Sequence, residues 1–274
     1  MRIATWNCCR GKFEIKAPLL DPLDADVVVL QEVARPAAPT DALWFGTNPR
    51  QGLAVLARNG YTAHALPARR GVQRHIVPIQ VTGPRSFFLL AVWSLNEKPH
   101  PYVRAVVHAV NRYKDLIEAQ PSVIVGDFNS NTPWDRKRKG AHDHSFLVKL
   151  LGKLGLVSAY HHFHGEPQGA ETRPTYYFQW KEKTPYHLDH CFVPAAWASD
   201  VSSVTVGNYA DWSKYSDHRP MVVELGFKQT PEERLVGLSL EGTDELSEKS
   251  HTPRIRRPSE EPPPPGAASA GGTN

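Results

Sequence analysis

The sequence predicts an α/β fold in which two β-sheets pack together with helices outside. Three observations predict it. Short continuous apolar runs recur along the chain, as in strands buried on both faces. Asn-Gly and Gly-Pro turn signals separate several of them. Only two stretches carry a helical apolar period, so strands outnumber helices.

In order, residues 2–7 form a β-prone opening and 26–30 a buried strand, Asp26-Val27-Val28-Val29-Leu30. Strands 52–58 and 61–66 flank Asn59-Gly60, which signals a hairpin. Strands 76–82 and 87–95 flank Gly83-Pro84. A helix over 101–119 follows from Val103, Val106, Val107, Val110, Tyr113 and Ile117 on one face. Strand 122–126 and helix 144–154, stopped by Gly155, come next. Strands then follow at 156–163, 175–180, 187–193, 203–208 and 220–227.

The last segment is different. The chain has 274 residues and a formal net charge of +4. Residues 228–274 hold 6 basic and 8 acidic residues, the proline run 262–265 and a small-residue end. Their one apolar cluster, Leu235, Val236, Leu238 and Leu240, cannot offset the entropy of ordering, so this tail is expected to be disordered. The body, 1–227, then forms one domain with 26 basic against 20 acidic residues, a net of +6. No apolar run approaches the roughly 20 residues that span a bilayer. Three cysteines, Cys8, Cys9 and Cys191, do not make a disulfide framework. The opening reads as a strand rather than a signal peptide, so an intracellular location is expected.

Polar residues cluster at the ends of the most apolar strands. These are Trp6-Asn7, Gln31-Glu32, Gly126-Asp127-Phe128-Asn129-Ser130, His187-Leu188-Asp189-His190 and Ser216-Asp217-His218-Arg219-Pro220. Each alone fits a turn, a cap or a surface carboxylate. Asp189 is harder to explain that way, because an unpaired carboxylate inside an apolar strand is costly.

Together and in this order, the five segments resemble the endonuclease/exonuclease/phosphatase superfamily, from about residue 2 to about residue 227. The resemblance implies a four-layered α/β sandwich and hydrolysis of a phosphodiester or phosphomonoester with Mg²⁺, with Mn²⁺ as the alternative. It implies that Glu32 is the principal metal carboxylate, with Asn7 and Asp217 close to the same ion. It implies that Asp127 aligns and deprotonates the attacking water, with Asn129 beside it. His218 would donate to a non-bridging oxygen, oriented and charged by Asp189. The residue types suit these tasks. Mg²⁺ prefers oxygen ligands. A positioned carboxylate serves as a general base. A His–carboxylate pair favours the imidazolium.

Trp93 stands where the family strand carries a Tyr or His near the scissile phosphate, and indole cannot exchange a proton near neutral pH. Asn96 resembles a phosphate-contacting asparagine. Tyr176, in Thr175-Tyr176-Tyr177, resembles part of the floor and wall of the site. His187 shares a strand face with Asp189 under strand alternation and is expected at a phosphate or on the rim, with His190 turned towards packing. Trp134, Arg136 and Lys137, with Arg138 and Lys139, form an aromatic and basic stretch fit to hold a polyanion. Arg69, Arg70 and Arg74 form a second basic cluster. The histidines at 142, 144, 161, 162 and 164 do not converge on a separate zinc site.

The leading expectation is a Mg²⁺-dependent endo- or exonuclease acting on DNA, monomeric and without a membrane partner. An alternative keeps the chemistry on a small phosphorylated molecule, a nucleotide or a phospholipid headgroup. A further alternative is a catalytically weak nucleic-acid-binding protein or adaptor, whose tail recruits a protein.

Overall fold

The structure, a computed structural model, describes residues 1–35, 38–39, 41–137 and 142–227, without the side chains of Arg136 and Lys137. The tail expected to be disordered lies outside the described residues.

Fourteen strands are described: β1 (Arg2–Asn7), β2 (Val27–Val33), β3 (Leu43–Asn48), β4 (Gln51–Ala57), β5 (Thr62–Ala65), β6 (Ile76–Thr82), β7 (Phe87–Trp93), β8 (Ser122–Asp127), β9 (Leu156–Ser158), β10 (Tyr176–Tyr177), β11 (Pro185–Tyr186), β12 (Asp189–Pro194), β13 (Val201–Val206) and β14 (Met221–Leu225). The helices are α1 (Phe13–Lys16), α2 (Val103–Arg112), α3 (Lys114–Ala119), α4 (His144–Lys153), α5 (Ala159–His164) and α6 (Tyr209–Trp212). Sheet one has the order β13-β14-β1-β2-β4-β3 and sheet two β5-β6-β7-β8-β12-β9. Each contains one parallel pair, β1 with β2 and β7 with β8.

Alternation places the core. Ile3, Val27, Val29 and Val55 face Ile79, Leu89, Ala91 and Val125 between the sheets. The opposite faces are covered too, which is why the strands read as continuous apolar runs. Phe88, Leu90, Ile124 and Phe192 pack under α2, α3 and α4. Ala4, Trp6, Val28 and Leu30 pack under Phe13 and Leu20. The result is four layers, helix–sheet–sheet–helix. Among the described residues, no helix is long and apolar enough to cross a membrane.

Four expectations are corrected. Asn59-Gly60 does not close a hairpin: β4 pairs with β2 and β3, whereas β5 pairs with β6, so this turn carries the chain from sheet one to sheet two. The 101–119 helix breaks at Tyr113 (φ −105°, ψ 15°) into α2 and α3. Strand 156–163 stops at Ser158, whose Oγ lies 2.7 Å from His161 Nδ1, and α5 follows until left-handed Gly165. Strand 175–180 is the two-residue β10 followed by a tight turn with left-handed Gln179 and Trp180.

Parallel pairing brings the C-terminal ends of β1 and β2 together, and likewise those of β7 and β8. Antiparallel β12 brings its first residue, Asp189, opposite the last residue of β8, Asp127. The residues before β14 return beside the end of β1, where Met221 faces Thr5. One edge of both sheets therefore collects the polar strand ends.

Candidate active site

Glu32 reaches this edge through a bulge. The β2–β4 register shifts between Leu30 and Val33, and Glu32 is left-handed at φ 60°. An extra residue in one strand re-aims its side chain. Gln31 stays buried, donating from Nε2 to Thr5 Oγ1 at 3.0 Å, while Glu32 is half-buried and turned to Asn7 and Arg10. Its Oε2 accepts from Arg10 Nε at 2.9 Å and its Oε1 from Asn7 Nδ2 at 3.4 Å.

The same Asn7 Nδ2 donates to Asp127 Oδ2 at 3.0 Å. Asp127 is fully buried and held on its other side by Asn129, whose backbone N–H reaches Oδ1 at 2.8 Å and whose Nδ2 reaches Oδ2 at 3.0 Å. Asn129 makes this clamp from a left-handed backbone, φ 47°. Gly126 is required just before it, because a Cβ there would lie 1.9 Å from Val92 O.

Across the β8–β12 pair, Asp189 Oδ2 lies 2.8 Å from His218 Nδ1. The N–H groups of Leu188 and Asp189 both donate to Thr175 Oγ1, fixing the entry to β12. Ser216 ties the histidine loop to β1, donating from Oγ to Asn7 O at 2.7 Å and accepting from the His218 N–H at 2.9 Å. The buried Arg219 guanidinium donates to the Ser216 and His218 carbonyls and lies over Tyr177, 4.6 Å from its ring centroid. Tyr176 packs on His218 with centroids 4.6 Å apart.

A cleft of about 480 Å³ opens beside Asn129 and Tyr176, with Trp134, Phe178 and Tyr186 in its walls and Arg104 at its margin. Trp134 and Tyr186 face each other at 5.3 Å.

The comparisons with known proteins agree with this fold. The model of the Endonuclease/Exonuclease/phosphatase family matches residues 4–218. The chain belongs to this family. No curated protein matches the chain. Among solved structures, it is similar to the 3' phosphatase NExo from Neisseria bound to product DNA hairpin, at 18% identity and TM-score 0.61, over 83% of this chain and 100% of that one. It is similar to an AP endonuclease from Archaeoglobus fulgidus, at 14% identity and TM-score 0.59, over 83% and 100%. It is also similar to the endonuclease domain of TRAS1, a telomere-specific non-LTR retrotransposon, at 16% identity and TM-score 0.60, over 83% and 99%. At these identities the likeness is one of fold.

In this family member, hydrogen bonds join Asn7, Glu32, Asp127 and Asn129, and a second link joins Asp189 to His218. Two expected site residues, Trp93 and His187, fall elsewhere. Trp93 is 2% exposed, sits edge-on to His75 at 4.8 Å and belongs to the core between the sheets, not to the cleft wall. His187 is also 2% exposed, and its Nδ1 lies 3.0 Å from the Arg173 carbonyl, so it is neither a rim residue nor a phosphate contact. It and His190 share one buried cluster, with ring centroids 5.2 Å apart, because β12 begins only at Asp189 and strand alternation does not extend back to residue 187. Asn96 lies exposed beyond the end of β7. Arg136 and Lys137 lie in the 132–137 turn, but their side chains and residues 138–141 are outside the described residues. Sequence reasoning missed Arg10, Thr175, Ser216 and Arg219. Thr175, Ser216 and Arg219 stand in the quoted motifs, but their roles depend on contacts across the fold.

Burial is the largest influence on Asp127 and pushes its carboxyl up to about 7, with Asp189 adding to the rise and His218 opposing it. Burial disfavours a charged His218, yet Asp189, helped by Asp127 and Asp217, overcomes this and raises the ring to about 9. Removing the Asp189 charge in Asp189→Asn is therefore expected to drop the His218 pKa below its ordinary range, since burial remains. Titration of the His218 ring by NMR checks this, and an unshifted value would mean that Asp189 is not what charges the ring.

Two groupings compete as a metal site. Asp127, Asp189 and His218 offer three donors within 4.8 Å of one another. This set suits a hard cation poorly, because the ring stays protonated near neutral pH and its Nδ1 is already bonded to Asp189. Glu32 and Asp217 offer carboxylate oxygens, which suit Mg²⁺, while Asn7 turns its amide nitrogen to Glu32 and its Oδ1 accepts from the Cys9 N–H at 2.9 Å. A cation, Arg10, already rests on Glu32. Beside Asp217 lies the Cys9 thiol, which burial, followed by the Asp217 charge, raises to about 12 and so keeps neutral. The oxygen set fits the family's divalent metal.

Proposed function

We propose that the protein is a Mg²⁺- or Mn²⁺-dependent phosphodiester hydrolase acting on DNA. The observation that carries this reading is one buried carboxylate, Asp127, clamped by two asparagines directly opposite a charged His218–Asp189 pair. Asp127 takes the proton of the attacking water. Its pKa near 7 suits a base that must accept a proton near neutral pH and release it again. The Asn129 amide, bonded to Asp127 and the Ser94 carbonyl, holds that carboxylate in place, and the His218 imidazolium donates to a non-bridging oxygen as charge develops there. Glu32 and Asp217 would hold the metal, with Asn7 positioning Glu32, and the metal when bound would neutralise phosphoryl charge.

A polymeric substrate is supported by the net charge of +6 over the body and by the aromatic cleft next to Asn129, whose volume lies in the usual range for bound organic groups. Two similar structures are of an AP endonuclease and of a 3' phosphatase bound to a DNA hairpin.

Labelled single-stranded, double-stranded, abasic and RNA oligonucleotides, incubated with and without Mg²⁺, test the reading. DNA cleavage that is lost with EDTA and in Asp127→Asn is expected. If every DNA stays intact while small phosphodiesters are hydrolysed at any salt concentration, the small-phosphoester alternative replaces it, because nucleic-acid binding weakens steeply with salt.

A further inference from the structure

The basic cluster Arg69-Arg70-Arg74 lies along α2, on the outer side of sheet two. Arg69 is spent within the fold: its guanidinium holds Asp115 and the Arg112 carbonyl, and its backbone N–H donates to Tyr113 Oη at 2.9 Å. These bonds lay the 66–75 loop against the helix. Further along, a Cβ on Gly71 would lie 3.3 Å from His108 Nε2, and Gln73 Nε2 donates to the carbonyls of Leu95 and His100. His100 stacks on His108 at 4.3 Å.

On α2 itself, Arg104, His108 and Arg112 recur every four residues, so they form one stripe. The loop adds exposed Arg70 and Arg74 beside it. Arg70, Arg74, Arg104 and Arg112 make no ion pair among the described residues. The nearby acid Asp115 is already taken by Arg69.

The stripe starts at the catalytic edge. Arg104 lines the cleft that contains Asn129 and Tyr176. Arg74 precedes His75, whose carbonyl accepts from the Trp93 N–H, and Trp93 is the register partner of Asp127. From Arg104 to Arg112 the helix rises about 12 Å. That matches three to four nucleotides of one strand in a B-form duplex, at about 3.4 Å each.

We propose that Arg74, Arg104, Arg70 and Arg112 track the phosphate backbone of a nucleic-acid substrate on one side of the scissile bond. The substrate is then a polymer of several nucleotides, not a mononucleotide or a lipid headgroup. This rests on the hydrolase reading above and adds to it a direction of exit from the cleft. Guanidinium groups suit the task because their fork of donors matches phosphate oxygens. Cations in a row with no ion pair among the described residues, beside a site that takes a phosphodiester, are placed for successive phosphates.

The test separates this proposal from the hydrolase reading. Binding of a fluorescent 12-nucleotide DNA, single- and double-stranded, is measured by anisotropy across a salt series in the Asp127→Asn background. Cleavage of a small aryl phosphodiester is measured in parallel with the wild-type protein. The combined Arg70→Gln, Arg74→Gln, Arg104→Gln variant is expected to lower the slope of log Kd against log salt by about 2 to 3, since each phosphate contact contributes about 0.7 to 0.9. The matching Arg→Lys variant should retain the slope. If the DNA binds but the Gln variant keeps both its Kd and its slope, the track is overturned and the hydrolase reading stands. If no DNA binds while the aryl phosphodiester is cleaved, the track and the DNA reading both fall and phosphodiester chemistry survives.

Discussion

Replacing Asp127 by Asn is expected to lower kcat by roughly 10²- to 10⁴-fold with KM little changed, the loss typical of a removed general base. No other described carboxylate is held in the same way. Glu32 is engaged by Arg10, and Asp189 by His218. Asp127 alone receives both the Asn7 and Asn129 amides, which fix where its lone pairs point. Burying an amide costs less than burying an ionised carboxylate, but the new NH2 faces an N–H donor of Asn7 or Asn129, so stability is measured beside the kinetics. Steady-state kinetics and a melting curve together check this. A variant that melts normally and keeps its kcat would make Asp127 structural. The same geometry sets the pH profile of the wild-type protein. Activity needs Asp127 deprotonated and His218 protonated. The rate should therefore rise as pH passes through the Asp127 value, near 7, and fall as it passes through the His218 value, near 9.

Why the site was legible follows from its construction. Asn7, Glu32, Asp127 and Asp189 sit at the ends of strands whose apolar runs need no tertiary knowledge to find, and the order of the strand ends carries the family likeness. What stayed hidden depends on which surfaces meet. Asn59-Gly60 reports a reversal of direction but not which sheet receives the next strand. β3 escaped notice because Gly46 sits within it; in the fold the Trp44 ring covers both Gly46 and Gly52, filling the space where their Cβ atoms would stand. His187 was misplaced because alternation holds only inside a strand, and β12 starts two residues later. Thr175 and Ser216 look like ordinary hydroxyls until the fold brings them against the Leu188 and Asp189 amides and the Asn7 carbonyl.

A second large effect concerns stability in acid. His75, His144, His187 and His190 are buried, and burial lowers the pKa of each, His75 and His144 to about 4. His144, His187 and His190 form one cluster behind Asp189, with His144 and His190 centroids 4.7 Å apart. His190 Nε2 and His187 Nδ1 reach backbone carbonyls, and His144 Nδ1 lies 2.9 Å from Ser130 Oγ. Each ring's other nitrogen is buried without a protein partner. A proton added to one of these rings would bring charge into a dry site beside other rings. The unfolded chain takes up protons on these rings as pH falls below about 6.5, whereas in the folded chain His75 and His144 resist until near 4 and His187 and His190 are lowered in the same direction, so these rings lower stability across that window. Each such histidine removes up to about 1.4 kcal/mol per pH unit. His144 alone then removes about 2 kcal/mol between pH 6.5 and 4.5, against the usual 5–15 kcal/mol, and His75, His187 and His190 act in the same direction. His218 acts in the opposite sense: its raised pKa contributes stability that is fully present below 6.5 and lost as pH rises through about 9, so it does not offset the acid loss, whereas Asp127, raised to about 7, gains its proton in the folded chain across the same window and offsets the loss from about one histidine. Glu166 and Glu171, held down to about 2, lose their contribution only below about 4.5. Urea unfolding at pH 7.5, 6.5, 5.5 and 4.5 measures the decline. His190→Phe, which keeps an aromatic ring against Phe128 and Phe192 but cannot ionise, should flatten it even if the variant starts less stable at pH 7.5. A wild-type stability that is constant from pH 7 to 5 would show that these rings are not held neutral.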